Sequence, residues 1–372
     1  MTKQRKAFKF RLYPNEEQEV LLAKTFGCVR FVYNKMLAEY KEMYEKFKDD
    51  KNTLKKQKFS TPAKYKEEFP FLKEVDSLAL ANAQLALQRG YKNFFEGRAK
   101  FPKFKSKKHK QSYTTNMVNK NIQLNDGYIQ LPKFNTPIKI KQHRKIPTDY
   151  QIKSCTISKT KTDKYYVSIL TEYEKEISFV KVQKVVGLDF AMDGLYVESE
   201  QGEKANYPRY YRQALDKLAK AQRILSHRKK GSNRWEKQRL KVAKLHEKVA
   251  NQRKDFLHKK SKELASNYDA VIIEDLNMKG MSQTFNLGKS VFDNSWRMFV
   301  TFLEYKLKEW GKLLVKLDKW FPSTKRCSRC GKENEISLSE RIYKCSCGLV
   351  LDRDYNAAIN IKSEGLRLLT LT

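Results

Sequence analysis

Three acidic residues lie where short structured segments of the sequence begin or end. Asp189 and Glu274 each close an apolar run that predicts a buried strand, and Asp354 opens a predicted final helix. A strand, a helical insertion, a further strand and a closing helix can bring these positions to one edge of a sheet. Three carboxylates that converge there repel one another unless cations lie between them. Two Mg²⁺ ions about 3.5–4 Å apart would relieve that repulsion, activate water and stabilise the leaving 3′ oxygen of a phosphodiester.

Each acid also has a purely structural interpretation. In those interpretations Asp189 caps a strand, Glu274 pairs with a basic helix, and Asp354 is the N-cap of the last helix. Spacing alone leaves both kinds of role open for all three residues.

Four cysteines near the C-terminus form two close pairs separated by fourteen residues: Cys327-Ser-Arg-Cys330 and Cys345-Ser-Cys347. Two such pairs suit a tetrahedral Zn²⁺ with Zn–S bonds of about 2.3 Å. The second pair is one residue tighter than the commoner C-x-x-C, which leaves open whether both of its thiolates bind the ion. A closed site with four cysteines is structural rather than catalytic, and four reduced thiols in a loop are the alternative.

Composition narrows the class of protein. The 372 residues, at about 150 residues per domain, predict two to three domains, and 40% hydrophobic residues exclude wholesale disorder. No run of 18 or more apolar residues predicts a spanning helix, and the first residues lack the apolar core of a secretory signal. Six cysteines in a chain without such a signal argue against a disulfide scaffold. We therefore expect a cytoplasmic protein.

The charge points to a polyanionic partner. The chain carries 77 Lys and Arg against 42 Asp and Glu, a formal net charge of +35. Membrane-binding proteins concentrate such charge in one amphipathic helix or patch, whereas here it extends from Lys3 to Arg367. Aromatic residues (12%) are interleaved with the basic ones and could stack on bases. These features favour a long nucleic acid and argue against a membrane partner.

Periodicity divides the first half of the chain into three parts. Residues 6–13 alternate as a strand, and Asn15 with Gln18 predicts a helix cap. Helical spacing then predicts a block over 15–98, whereas residues 100–183 show a period of two with an Asn-Asp-Gly hairpin turn at 125–127. A strand, a helical block and several strands predict a β-barrel interrupted by a helical insertion.

The second half changes character at residue 185. Short apolar runs predict buried strands at 185–190, 271–274 and 313–317. Two long basic helices are predicted at about 208–229 and 233–266. A further helix is predicted near 293–310, and a closing helix near 354–363.

Several longer motifs resemble the TnpB (OrfB) family of transposon-associated RNA-guided nucleases, which are relatives of the compact type V CRISPR effectors. The resemblance runs nearly end to end. Its carriers are KAFKFRLYPNEEQ, GCVRFVYNKML, FPKFKSKK, YYRQALDKLAKAQRILSHRKKGS, NQRKDFLHK, VGLDF, IIEDL, FPSTKRCSRCG and CGLVLDRDYNAAINI. The C-x-C pair is a visible departure from the family's pattern.

The resemblance implies an α+β multidomain fold. Residues 184–320 and 349–372 would form an RNase H-like (RuvC) nuclease domain with a mixed sheet, and 321–348 a zinc-binding insert. Residues 1–14 and 99–183 would form a β-barrel wedge domain, and 15–98 a helical recognition insert. Asp189, Glu274 and Asp354 match the family's metal-binding triad, and Asp354 is favoured over Asp352 in the same motif.

The implied activity is Mg²⁺-dependent cleavage of double-stranded DNA at this single site. A guide RNA transcribed from the transposon end would select the target, and a short target-adjacent motif would license cleavage. Such a protein would be prokaryotic and associated with the nucleoid when bound to DNA, and a monomer is favoured over a dimer. The alternatives are a non-cleaving RNA-guided DNA-binding regulator and a transposase accessory protein.

Basic residues that could grip the guide–target duplex by its backbone lie in the FPKFKSKK stretch, on the long helices and at the rim of the cysteine cluster. Solvated faces of amphipathic helices are the alternative explanation for such residues. The candidates are Lys103, Lys105, Lys107, Lys108, Arg228, Lys229, Lys230, Arg253, Lys254, His258, Lys259, Lys260, Lys325 and Arg326.

Overall fold

The structure is a computed structural model that describes residues 2–50, 60–108, 110–278, 280–281, 293, 295–337 and 339–370. The chain divides into two compact units, Met1–Lys175 and Glu176–Thr372. Both combine helices and sheet, so the predicted α+β class is confirmed at that level. The finer domain boundaries expected from the sequence stay predictions.

The first unit combines a sheet with helices that follow its first strand. Its strands are β1 (Thr2–Tyr13), β2 (Gln111–Asn116), β3 (Gln123–Asn125), β4 (Tyr128–Gln130), β5 (Ile138–Lys141), β6 (Gln151–Lys159) and β7 (Tyr165–Lys175). Its helices are α1 (Glu16–Phe47), α2 (Pro62–Glu68), a 3₁₀ turn at Pro70–Glu74, and α3 (Ser77–Phe95). The sequence predicts a charged linker with Pro62 and Pro70 before a helix over 78–95; its described part contains α2 and the 3₁₀ turn, and the rest lies outside the described residues.

Strands of the first unit pair antiparallel in the order β2-β6-β7-β1-β5-β4-β3. The β1–β7 pair is the longest and runs from Thr2 opposite Lys175 to Leu12 opposite Tyr165. Hydrogen bonds join neighbours in this order, and the described strands do not pair β2 with β3, so closure into a barrel stays a prediction.

Two local signals in this unit are confirmed. Asn15 and Gln18 form a capping box, in which the Gln18 N–H donates to Asn15 Oδ1 at 2.8 Å and the Asn15 N–H donates to Gln18 Oε1 at 3.0 Å. The Asn-Asp-Gly turn joins β3 to β4 with positive φ at Asp126 (27°) and Gly127 (83°), as a tight hairpin of this kind requires.

The second unit is built on a smaller mixed sheet. Its strands are β8 (Val185–Phe190), β9 (Tyr196–Glu198), β10 (Ala270–Glu274), β11 (Leu313–Leu317), β12 (Ile342–Lys344) and β13 (Val350–Asp352). Its helices are α4 (Tyr210–Ser226), α5 (Asn233–Asn267), α6 (Trp296–Glu309) and α7 (Arg353–Thr370). The order β11-β10-β8-β9 has β10 parallel to both β11 and β8, while β9 runs antiparallel to β8. β12 and β13 form a separate hairpin.

Apolar side chains on both faces explain why β8 and β10 read as continuous hydrophobic runs. On one face Leu188 and Ile273 belong to the same buried cluster as Phe299 of α6. On the other face Ile272 clusters with Ile361 of α7. No helix among the described residues is long and apolar enough to cross a membrane.

Close packing of α7 on β8 depends on Gly187. A Cβ atom at this position would lie 2.5 Å from the backbone nitrogen of Lys362 and would also overlap the carbonyl oxygen of Ala358. Because both atoms belong to the backbone of α7, they cannot rotate away as a side chain could.

Replacing Gly187 with Ala should therefore destabilise the protein by about 1–3 kcal/mol, the usual cost of overpacking a core. The melting temperature of the full chain measures this. Gly27→Ala is the matched control, because a Cβ there meets nothing within 4 Å and alanine favours the interior of α1. A melting temperature for Gly187→Ala equal to that of the wild type would contradict the packing described.

Candidate functional site

Asp189 is a buried acid near the end of a central strand. Its exposed fraction is 7%, and it lies opposite Val197 of β9. Strand β8 lies between β9 and β10, so the backbone around Asp189 is paired on both sides. A carboxylate in such a position has lost most of its water.

Glu274 lies beside Asp189 at the same edge of the sheet. The parallel register pairs Ile273 with Leu188, so the next residue of each strand is one of the two acids. The Ser323 hydroxyl donates to Glu274 Oε1 at 2.5 Å, and Ser323 is itself buried. Glu274 has no ion pair within the described part of the chain, so the structure gives it a hydroxyl partner rather than a cation on a basic helix.

Asp354 reaches the site from the first turn of α7. Arg353 donates to Asp354 Oδ1 from Nη2 at 2.9 Å and from Nε at 3.1 Å. Arg341 Nη1 lies 3.8 Å from Asp354 Oδ2. The helix-capping contact belongs to Asp352, whose Oδ1 accepts the Tyr355 N–H at 3.0 Å. The exposed Asp352 is therefore the structural aspartate of this stretch, which frees Asp354 for another role.

The charges of the other two acids act on Asp189. Burial raises the pKa of Asp189 well above its ordinary value, and the charges of Glu274 and Asp354 raise it further, while Arg353 opposes them. Burial also raises the pKa of Glu274, against the hydrogen bond from Ser323. Negative charge is therefore costly at this edge, and oxygen donors at such a place suit a hard divalent cation.

The four cysteines come together at a second position in this unit. All four sulfurs lie within 4.8 Å of one another, with 3.6 Å between Cys327 and Cys347 and 3.6 Å between Cys330 and Cys345. A tetrahedron with Zn–S bonds of about 2.3 Å has edges of about 3.8 Å, so the spacing fits a zinc ion. The tight C-x-C pair thus places both of its sulfurs in the group. Among the described residues, this is the one group of three or more Cys, His, Asp or Glu with ligand atoms close enough to share one ion.

Two buried asparagines of α7 connect the cysteine cluster to the acids. Asn360 Nδ2 donates to the carbonyl oxygens of Ser323 and Arg326, at 2.8 and 2.6 Å. Asn356 Nδ2 donates to the same Arg326 oxygen at 2.7 Å, and its Oδ1 accepts the Ser328 N–H at 3.0 Å. The loop that carries Ser323 to Glu274 is therefore fixed by the helix that carries Asp354.

Sequence reasoning missed these supporting residues. Ser323, Asn356 and Asn360 do not stand out by charge or metal-ligand chemistry. The available signal was the i, i+4 spacing of the two asparagines on one face of the last helix, which is unusual for a buried helix face. Arg353 was visible in the sequence, but its pairing with the adjacent Asp354 depends on the side-chain conformation.

Several predicted nucleic-acid contacts already have partners within the protein. The Lys105 ammonium lies 3.8 Å from the centre of the Tyr33 ring. Arg253 donates to the buried Asp293 at 3.2 Å, and Lys325 pairs with Glu335 at 3.0 Å. The remaining internal pairs are Lys259 with Asp255, Lys260 with Glu263, the Arg228 guanidinium with the Arg234 carbonyl, and the His258 ring on Phe302.

The other candidates are exposed and form no salt bridge among the described residues, although the charge of Arg326 acts on Glu364. They lie after α3, after α4, on α5 and beside the cysteine cluster. This group contains Lys103, Lys107, Lys108, Lys229, Lys230, Lys254 and Arg326.

The raised pKa of Asp189 has a consequence for stability. Its folded-state pKa lies above that of the unfolded chain, so stability is lost as the pH rises from about 4 through the folded-state value. Asp189→Asn should therefore raise the melting temperature in magnesium-free buffer at pH 7, by about 2–4 °C for each kcal/mol recovered. The gain should vanish below about pH 3, where the carboxyl is protonated in both states.

Asp275→Asn is the matched control, because Asp275 is an exposed neighbour of Glu274 and its removal should leave the melting temperature nearly unchanged. Destabilisation by Asp189→Asn at pH 7 would show that the Asp189 charge is satisfied without a cation.

Three family descriptions match parts of the chain. "Probable transposase" matches residues 168–284, and "Cas12f1-like, TNB domain" matches residues 296–361, which include the four cysteines. A "Helix-turn-helix domain" matches residues 1–49, a range that includes strand β1 and the long helix α1.

Full-length relatives are also similar. A "Putative RNA-guided DNA endonuclease" of Streptomyces pristinaespiralis is 36% identical over 98% of this chain and 90% of its own length. "Putative RNA-guided DNA endonuclease InsQ" of Escherichia coli K12 is 31% identical over 98% of this chain and 93% of its own length. The protein chain in "Cryo-EM structure of the Cas12f1-sgRNA-target DNA complex" shares the fold, with a TM-score of 0.59 and 14% identity over 97% of this chain and 99% of that one. The extent and identity of these matches confirm the resemblance found in the sequence: the chain belongs to the TnpB (OrfB) family.

Proposed function

We propose that this protein is a transposon-associated, RNA-guided DNA endonuclease that hydrolyses phosphodiesters at Asp189, Glu274 and Asp354. The observation that carries the proposal is the buried Asp189 on β8, whose pKa is raised by burial and by the charges of Glu274 on β10 and Asp354 on α7. Two relatives that align with nearly the whole chain are named RNA-guided DNA endonucleases, which supports the same conclusion.

The proposed domain organisation follows from the family. Residues 184–320 and 349–372 form a RuvC-like nuclease domain, and 321–348 form its zinc-binding insert. The strand order β11-β10-β8-β9, with a helix packed on each face, supports this assignment. Residues 1–14 and 99–183 form the wedge domain, and 15–98 form the recognition insert.

The three carboxylates fit Mg²⁺, because they supply hard oxygen donors where uncompensated negative charge is unfavourable. When bound, Mg²⁺ would supply the activation of water and the neutralisation of charge on the phosphate. Within the protein, Ser323 orients Glu274 through its hydroxyl, and the strand pairing on both sides of β8 fixes Asp189. Arg353 neutralises Asp354 in the metal-free protein, so its guanidinium must share or release that carboxylate when a cation binds.

The zinc proposal concerns the fold of the insert. Cys327, Cys330, Cys345 and Cys347 would close a tetrahedral site that leaves no position for substrate. The backbone N–H of Cys347 lowers the pKa of the Cys345 thiol, which favours its thiolate, whereas the pKa of the Cys347 thiol is raised by burial and by the neighbouring thiols. Since Asn360 and Asn356 hold the start of this insert, zinc would also hold the loop that presents Ser323 to Glu274.

The proposed partners are a guide RNA from the transposon end and a double-stranded DNA target with a short adjacent motif. The net charge of +35 and the exposed lysines support binding to nucleic-acid backbones, whose phosphates carry no sequence information. Base pairing with the guide would then select the target. We place such a protein in the cytoplasm, on DNA when it is engaged.

Cleavage of a plasmid target tests the activity. RNA that copurifies with the protein is sequenced to define the guide, and a matching plasmid is incubated with Mg²⁺. Asp189→Ala, Glu274→Ala and Asp354→Ala should each lower cleavage by at least about a thousandfold, because one carboxylate is lost from a site that acts as a unit. RNA binding should stay within about twofold of the wild type.

Asp275→Asn and Asp352→Asn are the matched controls and should cleave at nearly the wild-type rate. Asp352→Asn retains an oxygen that can cap α7, so it removes charge without removing the cap. Persistent cleavage by any of the three alanine variants would refute that residue's role. A wild-type protein that binds the target and never cleaves it would favour the non-cleaving regulator.

Zinc can be tested independently of cleavage. Purified wild-type protein should contain about one zinc per chain, and Cys330→Ser or Cys345→Ser should lose most of it, since each removes one of four ligands. Hydrogen exchange at residues 323–328 should rise in the same variants, because the insert no longer holds that loop. Cys28→Ala, a buried thiol of the first unit, should retain the zinc. Full zinc content in both serine variants would contradict the assignment.

A further inference from the structure

A patch of exposed aromatic rings lies in the first unit, at the end of α3 and the start of the stretch that follows it. Phe95 exposes 77% of its surface, Phe104 48% and Phe101 39%. Single exposed aromatic side chains are ordinary, but contiguous ones mark binding surfaces. Two of these rings are contiguous through Phe94, which contacts Phe95 and Phe101 at centroid distances of 5.4 and 5.3 Å.

The rings continue a stack that begins inside the unit. Tyr40 of α1 stacks on Tyr91 of α3, with centroids 5.1 Å apart and planes 24° apart. Tyr91 in turn stacks on Phe95, with centroids 6.3 Å apart and planes 23° apart. Phe95 is thus the last described ring of a nearly parallel series. Its solvent-facing surface is open to another flat ring.

The segment that carries the other two rings is fixed in place. Asn34 Nδ2 donates to the Lys105 carbonyl oxygen at 2.9 Å, and the Lys105 N–H donates to Asn34 Oδ1 at 2.8 Å. Pro102 is buried, although its neighbours Phe101 and Lys103 are exposed. Phe101 and Phe104 are therefore presented to solvent by an anchored backbone rather than by a free loop.

The charge around the rings is mainly positive, and Glu96, which follows Phe95, pairs with Lys92 and Arg98. Residues 98–110 contain seven Lys or Arg and no acid. Lys41 connects the rings to this charge, since its Nζ lies 4.8 Å from the Phe104 centroid and 5.7 Å from that of Phe101. Lys41, Lys103, Lys107 and Lys108 form no ion pair within the described residues. We call these four lysines, with Phe95, Phe101 and Phe104, the aromatic–lysine patch.

We propose that the aromatic–lysine patch binds unpaired nucleobases of a single-stranded nucleic acid, which stack on the exposed rings while the lysines contact the flanking phosphates. Aromatic rings beside cations are the combination that single-strand-binding surfaces use. A duplex would engage the lysines but not the rings, because its bases are already stacked on one another. An uncharged apolar partner would use the rings and leave the lysines desolvated.

This inference rests on the proposal that the protein binds nucleic acid, and it does not involve the acid site. RNA and DNA offer the same chemistry here, since both have bases with two flat faces. The patch therefore predicts a single-stranded ligand, and the experiment shows whether that strand is RNA or DNA.

The test uses full-length protein without magnesium and an unstructured oligonucleotide that contains 2-aminopurine, whose fluorescence falls when the base stacks. The Phe95→Ala/Phe101→Ala/Phe104→Ala variant should bind the oligonucleotide at least about tenfold more weakly, because stacking on aromatic rings contributes about that much for each base. It should also lose most of the quenching. Binding of a duplex of the same sequence should change less than twofold.

Two further variants distinguish the loss of the ring faces from misfolding and from a general loss of exposed aromatic residues. The leucine triple Phe95→Leu/Phe101→Leu/Phe104→Leu retains apolar packing on Tyr91 and Phe94 but removes the ring faces, so it should fold normally and still lose the quenching. The matched control replaces Phe71 and Tyr128, which are 44% and 46% exposed in the same unit, with alanine. It should bind as the wild type does.

The lysines are tested through salt dependence. Lys103→Gln/Lys107→Gln/Lys108→Gln should reduce the slope of log K against log salt for the single strand by about 2, because each phosphate that a lysine neutralises contributes about 0.7 to that slope. The phenylalanine variants should leave this slope unchanged.

Wild-type affinity and quenching in the leucine triple would overturn the proposal, as would an equal loss for duplex and single strand. The RNA and DNA oligonucleotides are measured separately, and the one with the larger loss is the strand that the patch binds. Because no cleavage is measured, a failed nuclease assay would leave this result standing, and a failed stacking result would leave the nuclease proposal standing.

Discussion

The approach of α7 to β8 is the constraint on which the second unit depends. Gly187 lets the helix backbone lie directly against the strand, two residues before Asp189. A helix held at that distance begins beside the edge of the sheet where Asp189 lies. Asp354, in the first turn of this helix, is therefore close enough for its charge to raise the pKa of Asp189. The same helix holds the loop of Ser323 through Asn360. One packing contact therefore sets the positions of groups that are far apart in the sequence.

Bringing the acids together has an electrostatic cost that the protein offsets only in part. Arg353 and Arg341 lie near Asp354, and Ser323 donates to Glu274, yet the pKa of Asp189 stays raised. The countercharge is thus placed on Asp354, and the buried Asp189 forms no salt bridge among the described residues. This asymmetry is expected of a site that must hold a metal, because full internal neutralisation would compete with the ion.

Much of this arrangement could be predicted from the sequence. Continuous apolar runs predicted β8 and β10 because both faces of these strands are covered, and the Asn15–Gln18 pair predicted the start of α1 because a capping box is local. The parallel register that places Glu274 beside Asp189 could not be predicted from the sequence, since register depends on the packing of distant segments. Ser323 and Asn360 were not found because their roles come from what they contact. Ion pairs such as Asp255–Lys259 could have been predicted from the sequence, because the two residues are four positions apart on one helix.

These internal ion pairs bear on how the net charge of +35 is used. A lysine already beside a carboxylate, such as Lys259 or Lys260 on α5, gains little from a phosphate, because binding exchanges one anion for another. A lysine without such a partner can neutralise a phosphate and release the counterion from it. The stretches around 98–110 and 228–230 hold exposed lysines of this second kind. Binding to nucleic-acid backbones should therefore depend more on these short connecting segments, which hold ten basic residues and no acid, than on α5, whose eleven basic residues are accompanied by four acids.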